Sequence, residues 1–257
     1  MDTEHRHSWL FRHRDPAMAA ADKPGVHLWL CDLDDPVLNA CLREGMPSGE
    51  ELRRGEQMSG DIKRWFLRGR ALQRFLIGRF LNEDPRELEF ELNAHGKPSL
   101  AGCRPRPCHF NTSRCGGLFA LVIARGGAEV GVDIEIVRPD FAWQAAASLF
   151  LDDVDLRRFQ EVPAAGRPAS FLRFWTSLEA FAKAGGNGLA VPPPHACNGR
   201  AVLNRIPDLT CDSVIAPDGW HWALWIEPVA NAEVVVAVTA SAISSSRRDS
   251  GPWPQTP

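Results

Sequence analysis

No apolar run in the chain approaches the roughly 18 residues that a membrane span requires, so no transmembrane helix is expected. Neither charge is in large excess: 29 Lys and Arg stand against 32 Asp and Glu, a formal net charge of −3. That balance argues against wholesale nucleic-acid binding and leaves room for a local basic site. The opening residues Met1-Asp2-Thr3-Glu4-His5-Arg6-His7 lack the apolar core of a secretory signal, and a cytoplasmic protein is expected. Seven cysteines include no Cys-x-x-Cys pair, and Cys103, Cys108, His109 and Cys115 lack zinc-like spacing. Free thiols are the expectation that follows. No Gly-x-Ser-x-Gly occurs, so the nucleophile elbow of a serine hydrolase is missing.

What is present is ordinary globular material. The 257 residues are 44% hydrophobic and 24% charged, enough to build one large core or two small ones. Val26 to Leu30 alternates as a strand, and 47–59 reads as a polar helix that Ser48 can cap. Ile62 to Leu81 is the longest helical pattern, with Trp65, Leu72, Leu76 and Phe80 on one face. Strands are expected at 88–92, 109–111, 118–124 and 130–137, with a turn at Asn93 to Pro98. Helices follow at 141–150, 152–160 and 168–184, then strands at 201–203, 222–226 and 233–238. This order predicts an α+β fold of two similar halves meeting near residue 127. The expected parts are a flexible segment 1–24, an N-terminal half 25–127, a C-terminal half 128–243 and a flexible tail 244–257. Within the first segment, Trp9, Leu10 and Phe11 are candidates to dock.

Four constellations carry candidate chemistry. In Gly131-Val132-Asp133-Ile134-Glu135, strand alternation puts Asp133 and Glu135 on one face and Val132 and Ile134 on the other. Two hard oxygen ligands about 6–7 Å apart suit Mg²⁺, which completes its shell with water and phosphate. A solvent-facing strand that happens to carry two acids has the same pattern. Glu179 and Lys183 lie four apart on a helix, either as a surface ion pair or as a third carboxylate beside a phosphate-binding cation. Between Ile62 and Asn82 lie Lys63, Arg64, Arg68, Arg70, Arg74 and Arg79 with no acid, which points to an anionic ligand on that helix. Finally, the Gly96-Lys97-Pro98 turn and Arg114, after Phe110-Asn111-Thr112-Ser113, offer cations for phosphate oxygens.

Taken in order, these pieces resemble the 4′-phosphopantetheinyl transferases of the surfactin-synthetase-activating type. The resemblance runs from Arg70-Ala71-Leu72-Gln73-Arg74 through Gly96-Lys97-Pro98, Phe110 to Arg114 and Gly131 to Glu135, ending on Trp175 to Lys183. It implies a pseudo-twofold pair of α+β halves with coenzyme A between them and the chain acting as a monomer. It implies Asp133, Glu135 and Glu179 as ligands for Mg²⁺. Lys183 would pair with the pyrophosphate, while Arg70, Arg74, Lys97, Ser113 and Arg114 would serve the rest of the coenzyme. Glu179 and Lys183 are the implied catalytic pair. The implied reaction moves 4′-phosphopantetheine to a serine of an acyl or peptidyl carrier protein of fatty acid, polyketide or nonribosomal peptide synthesis, releasing 3′,5′-adenosine bisphosphate.

At two positions the sequence departs from the family pattern: Leu178 replaces the Lys before the motif Glu, and Arg114 replaces a His. Arg114 keeps a positive charge, whereas Leu178 removes one and is expected to pack against the other half. The alternative is therefore a diverged, non-catalytic module that binds coenzyme A or a carrier protein. Asp152, Asp153 and Asp155 are further candidate acids, or else compensate a helix N-terminus. An RNA-binding role for the basic helix is disfavoured, because Trp65, Phe75 and Phe80 belong to its buried face.

Overall fold

The computed structural model describes residues 10–13, 25–102, 108–125, 127–138, 141–150, 153–186, 212–215 and 221–241. The strand expected at 201–203, the tail 244–257 and Asp152 lie outside the described residues.

Strand β2 (Val26–Asp32) is apolar on both faces because each face meets a different layer. Val26 and Leu28 face a second sheet, while Trp29 and Cys31 meet a helix. Strand β6 (Leu118–Arg125) repeats this, with Leu118, Ala120 and Val122 on one side and Phe119, Leu121 and Ile123 on the other. The long helix, spanning Gly60–Leu81, buries Leu72, Phe75, Leu76 and Phe80 on that second side. Its predicted seam is the one it uses.

Earlier in the chain come β1 (Leu10–His13), α1 (Asn39–Gly45) and α2 (Gly49–Glu56), so the long helix is α3. Ser48 and Glu51 form a reciprocal capping box at the start of α2. A short hairpin, β3 (Phe90–Leu92) and β4 (Pro98–Leu100), leads into β5 (Cys108–Cys115). The first sheet has the order β1-β2-β6-β5.

The second half begins with β7 (Val130–Ile136) and continues through α4 (Trp143–Phe150), α5 (Asp153–Glu161) and α6 (Arg167–Gly185). It closes with β8 (Asp212–Ile215), β9 (His221–Val229) and β10 (Ala232–Ala240), giving a sheet of order β7-β10-β9-β8. In each half the opening strand pairs antiparallel with the closing strand, which pairs antiparallel with the one before it. Helix α6 covers the outer face of this sheet, with Leu172 and Ala180 against Leu224, Val235 and Ala237. Between the sheets, Val26, Leu28, Ala120 and Val122 share one core with Val132, Ile134, Val236 and Val238. The layers run helix, sheet, sheet, helix, an α+β arrangement.

The structure adds elements that periodicity did not show. Leu10–His13, in the segment expected to be flexible but holding the docking candidates Leu10 and Phe11, pairs parallel with β2 and covers what would be an open edge. Helix α1 and strands β4 and β8 are too short to carry a recognisable period.

Candidate active site

The site is assembled where β5 of the first sheet runs beside β7 of the second. On β7, Val132 and Ile134 point into the inter-sheet core, so Gly131, Asp133 and Glu135 take the opposite face, as alternation predicts. Helix α6 lies directly over that face. A Cβ at Gly131 would fall 1.9 Å from the Ala180 carbonyl oxygen and 2.7 Å from the Ala184 nitrogen. Only glycine allows the helix backbone to approach this closely, and the approach brings Lys183 to Asp133.

Three polar groups then meet. The Ser113 hydroxyl donates to Asp133 Oδ1 at 2.7 Å, and Lys183 Nζ donates to the same oxygen at 2.5 Å. Lys183 Nζ also lies 3.2 Å from Ser113 Oγ. The other strand positions on the Ser113 face bind β7 too. Asn111 Oδ1 accepts the Val132 amide at 3.1 Å, and Cys115 Sγ donates to Glu135 Oε2 at 3.4 Å. Sequence reasoning singled out Ser113 but not Asn111 or Cys115. Their spacing of two residues on either side of Ser113 was the available signal.

The electrostatics of the carboxylates are unbalanced. Burial, and then the neighbouring Asp133 charge, pushes the Glu135 carboxyl above its ordinary range, with Glu179 adding to the effect. Burial likewise raises Glu179, against the pull of Lys183 and with a further push from Asp133. Asp133 is buried and its Oδ2 has no hydrogen-bond partner among the described residues. A buried acceptor without a donor, beside two carboxyls that resist ionisation, is the donor set that a hard cation satisfies. Among the described residues, no three His, Cys, Asp or Glu side chains close into a metal cage as they stand. The cation on Asp133 in this arrangement is the Lys183 ammonium.

The remaining expected residues divide into two groups. Arg114 is exposed, on the opposite face of β5 from Ser113, and has no hydrogen bond or ion pair among the described residues. Partial burial lowers its guanidinium pKa from the usual arginine value, and it remains charged at physiological pH. Lys97 Nζ contacts Glu129 at 2.8 Å and the Ala184 carbonyl at 2.6 Å, leaving one of its three protons for another acceptor.

Arg70 and Arg74 lie elsewhere. Both grip Glu51, through Nε at 2.6 and 2.8 Å, and both stack over Phe90. Arg74 is 5% exposed and also donates to the Leu88 carbonyl at 2.7 Å, so its guanidinium is committed within the first half. The anionic partner expected for the basic helix is largely supplied by the chain itself. Arg64 binds Asp34 through two nitrogens at 3.0 Å, and Arg68 donates to the Leu33 carbonyl.

Leu178 corrects another expectation. It packs with Phe171, Phe174 and Trp175 against the α4–α5 side of its own half, because residue 178 faces those helices rather than the first sheet. The side chains of Asp153 and Asp155 lie outside the described residues.

Comparison with known proteins is consistent with this geometry. The sequence pattern of the 4′-phosphopantetheinyl transferase superfamily matches residues 129–239, which include Asp133, Glu135, Glu179 and Lys183. The Synechocystis protein slr0495, provisionally named a 4′-phosphopantetheinyl transferase, is 30% identical over 213 residues, covering 80% of this chain and 81% of the relative. The Nostoc 4′-phosphopantetheinyl transferase HetI is 26% identical over 232 residues, 84% of this chain and 96% of its own length. The Salmonella typhimurium 4′-phosphopantetheinyl transferase AcpT is 32% identical over 110 residues, 43% of this chain and 54% of its own.

Proposed function

The chain belongs to the 4′-phosphopantetheinyl transferase superfamily and is a transferase, and on that premise we propose that it moves 4′-phosphopantetheine from coenzyme A to a serine of a carrier protein. Two halves that share a three-strand path in a single chain, β2-β6-β5 and β7-β10-β9, support the surfactin-synthetase-activating type, acting as a monomer. The observation that carries the reading is the meeting of Ser113, Asp133 and Lys183 at the junction of the halves, flanked by two strained carboxyls.

Asp133, Glu135 and Glu179 are the residues that would hold Mg²⁺. Such an ion, when bound, neutralises charge on a pyrophosphate. The chain's own groups do the rest. Lys183 turns an ammonium proton from Asp133 to the pyrophosphate, and Ser113 keeps Asp133 oriented. The third proton of Lys97 and the guanidinium of Arg114 take the 3′-phosphate end. Arg70 and Arg74 serve this region indirectly, by fixing α2 and α3 through Glu51.

The carrier serine oxygen attacks the phosphorus next to pantetheine, and the bond to the leaving adenosine bisphosphate breaks. Glu179, which accepts no hydrogen bond among the described residues and whose carboxyl is raised, receives the serine proton. A pure binding module has no use for such charge strain, so the catalytic reading is preferred. Mass spectrometry of an apo carrier protein after incubation with the chain, coenzyme A and Mg²⁺ tests it. A gain of one phosphopantetheine, absent when the metal is chelated, is expected. Binding of coenzyme A without any gain on fatty acid, polyketide or peptide carrier proteins would instead support the module reading.

A further inference from the structure

Helix α6 carries Glu179 and Lys183, and its C-terminal end is held by a turn from the opposite half of the molecule. The turn between β3 and β4 is organised by Asn93, whose Oδ1 accepts both the His95 and Lys97 amides at 2.9 Å. The other end of the same side chain reaches across the molecule: Nδ2 donates to the Gly186 carbonyl at 2.9 Å. Four residues on in the same turn, Lys97 Nζ donates to the Ala184 carbonyl, two residues before Gly186. The Ala184 carbonyl in the last turn of α6, which a helix leaves without an internal donor, and the Gly186 carbonyl just past its end are thereby satisfied from the first half.

The contact is close as well as polar. Gly186 has φ +68°, and a Cβ there would lie 2.9 Å from Lys97 Cδ and 3.0 Å from Asn93 Nδ2. The end of the helix and the turn are fitted to one another. Lys183 lies one residue before the first clamped carbonyl, and Glu179 little more than one turn before that.

The geometry points to Asn93 as a positioning residue: its amide latches the C-terminal end of α6 and so sets where Glu179 and Lys183 stand over Asp133. This rests on the transferase reading for its catalytic consequence, and on the hydrogen bonds alone for its structural one. Asn93 uses its carbonyl to build its own turn and its amide nitrogen to hold the helix. An aspartate separates the two uses, because it keeps the acceptor and removes the donor. It also sets a carboxylate against the Gly186 carbonyl and the negative end of the helix dipole.

The test compares wild type with Asn93→Asp and Asn93→Ala in the full chain, by hydrogen exchange and steady-state transfer kinetics. For Asn93→Asp, exchange at the amides of residues 183–186 is expected to rise about fivefold or more, the loss of one ordinary hydrogen bond. The His95 and Lys97 amides should keep their wild-type protection. Transfer should show a fall in kcat of about tenfold with KM for coenzyme A within about twofold, the mark of an effect on the transition state. Asn93→Ala should match it at the helix and in addition release the turn amides. If Asn93→Asp behaves as wild type in exchange and in kcat, Asn93 only builds a turn and the latch is wrong. Faster exchange with unchanged kcat would overturn the positioning role. A wild-type chain without transferase activity would refute the functional premise, while the exchange pattern would still decide whether the turn holds the helix.

Discussion

Two clusters in this molecule place carboxylates beside cations, and they have opposite character. In the first half, Glu51 meets Arg70 and Arg74, and both of its oxygens are engaged. Burial alone works against its charge, yet the Arg70 charge, the Ser48 amide and Arg74 together hold its carboxyl below the ordinary range. In the second half, three carboxylates face one ammonium, two of them are raised, and a buried oxygen of the third lacks a donor. The first cluster is complete and belongs to the fold. The second is short of positive charge and is where the proposed function places a ligand.

The largest expected effect breaks the second cluster. Asp133→Asn keeps the side-chain volume but removes the charge that Lys183 pairs with and that a metal ion requires. Transfer to a carrier protein should fall at least about a thousandfold, roughly 4 kcal/mol in barrier, with the thermal midpoint little changed. Near-normal rates at saturating Mg²⁺ would remove Asp133 from the metal site.

Breaking the first cluster should do the reverse. Glu51→Gln strands Arg74 as a buried charge, and a loss of about 3 kcal/mol is expected from denaturant unfolding. Because the folded carboxyl lies low, the stability it contributes is present above the ordinary carboxylate range and lost as pH falls through the lowered value. The variant should therefore lose part of the acid-side slope of stability against pH. Wild-type stability in the variant would mean that the pair is not a fold element.

Which of these features could be read from sequence follows from where their partners lie. Asp133 and Glu135 were legible because strand alternation is local, and Val132 and Ile134 mark the other face. Glu179 and Lys183 were legible as neighbours on a helix, but the partner of Lys183 comes from a strand fifty residues earlier. The basic helix misled for the same reason. Its charge is visible along the sequence, while Asp34, Glu51 and the Leu33 and Leu88 carbonyls that absorb it come from other segments. Asn93 was readable as a turn former, and nothing local indicates that its amide points at Gly186.

Smaller effects sharpen the contrast. Leu178→Lys places a cation at a half-buried position among Phe171, Phe174 and Trp175, and a loss of about 2 kcal/mol in unfolding free energy is expected. Lys183→Ala should lower transfer further than Leu178→Lys does, and the opposite order would shift the phosphate contact to residue 178. Arg114→Ala should weaken coenzyme A binding about tenfold and flatten its salt dependence. Dephospho-coenzyme A should feel that change far less in titration calorimetry. Equal losses would move Arg114 away from the 3′-phosphate.

The contrast itself is tested most directly by the thermal midpoints of Glu135→Gln and Glu51→Gln, measured with Mg²⁺ and with the metal chelated. The Glu135 carboxyl is raised in the fold, so its ionisation removes stability as pH rises through that raised value. At neutral pH without metal, Glu135→Gln should melt a few degrees above wild type, with the two converging in acid, and should lack the upward shift expected for wild type with Mg²⁺. Glu51→Gln should melt below wild type in both conditions and keep that shift. A Glu135→Gln protein that melts below wild type without metal, or that keeps the full Mg²⁺ response, would contradict the assignment of this cluster to a metal.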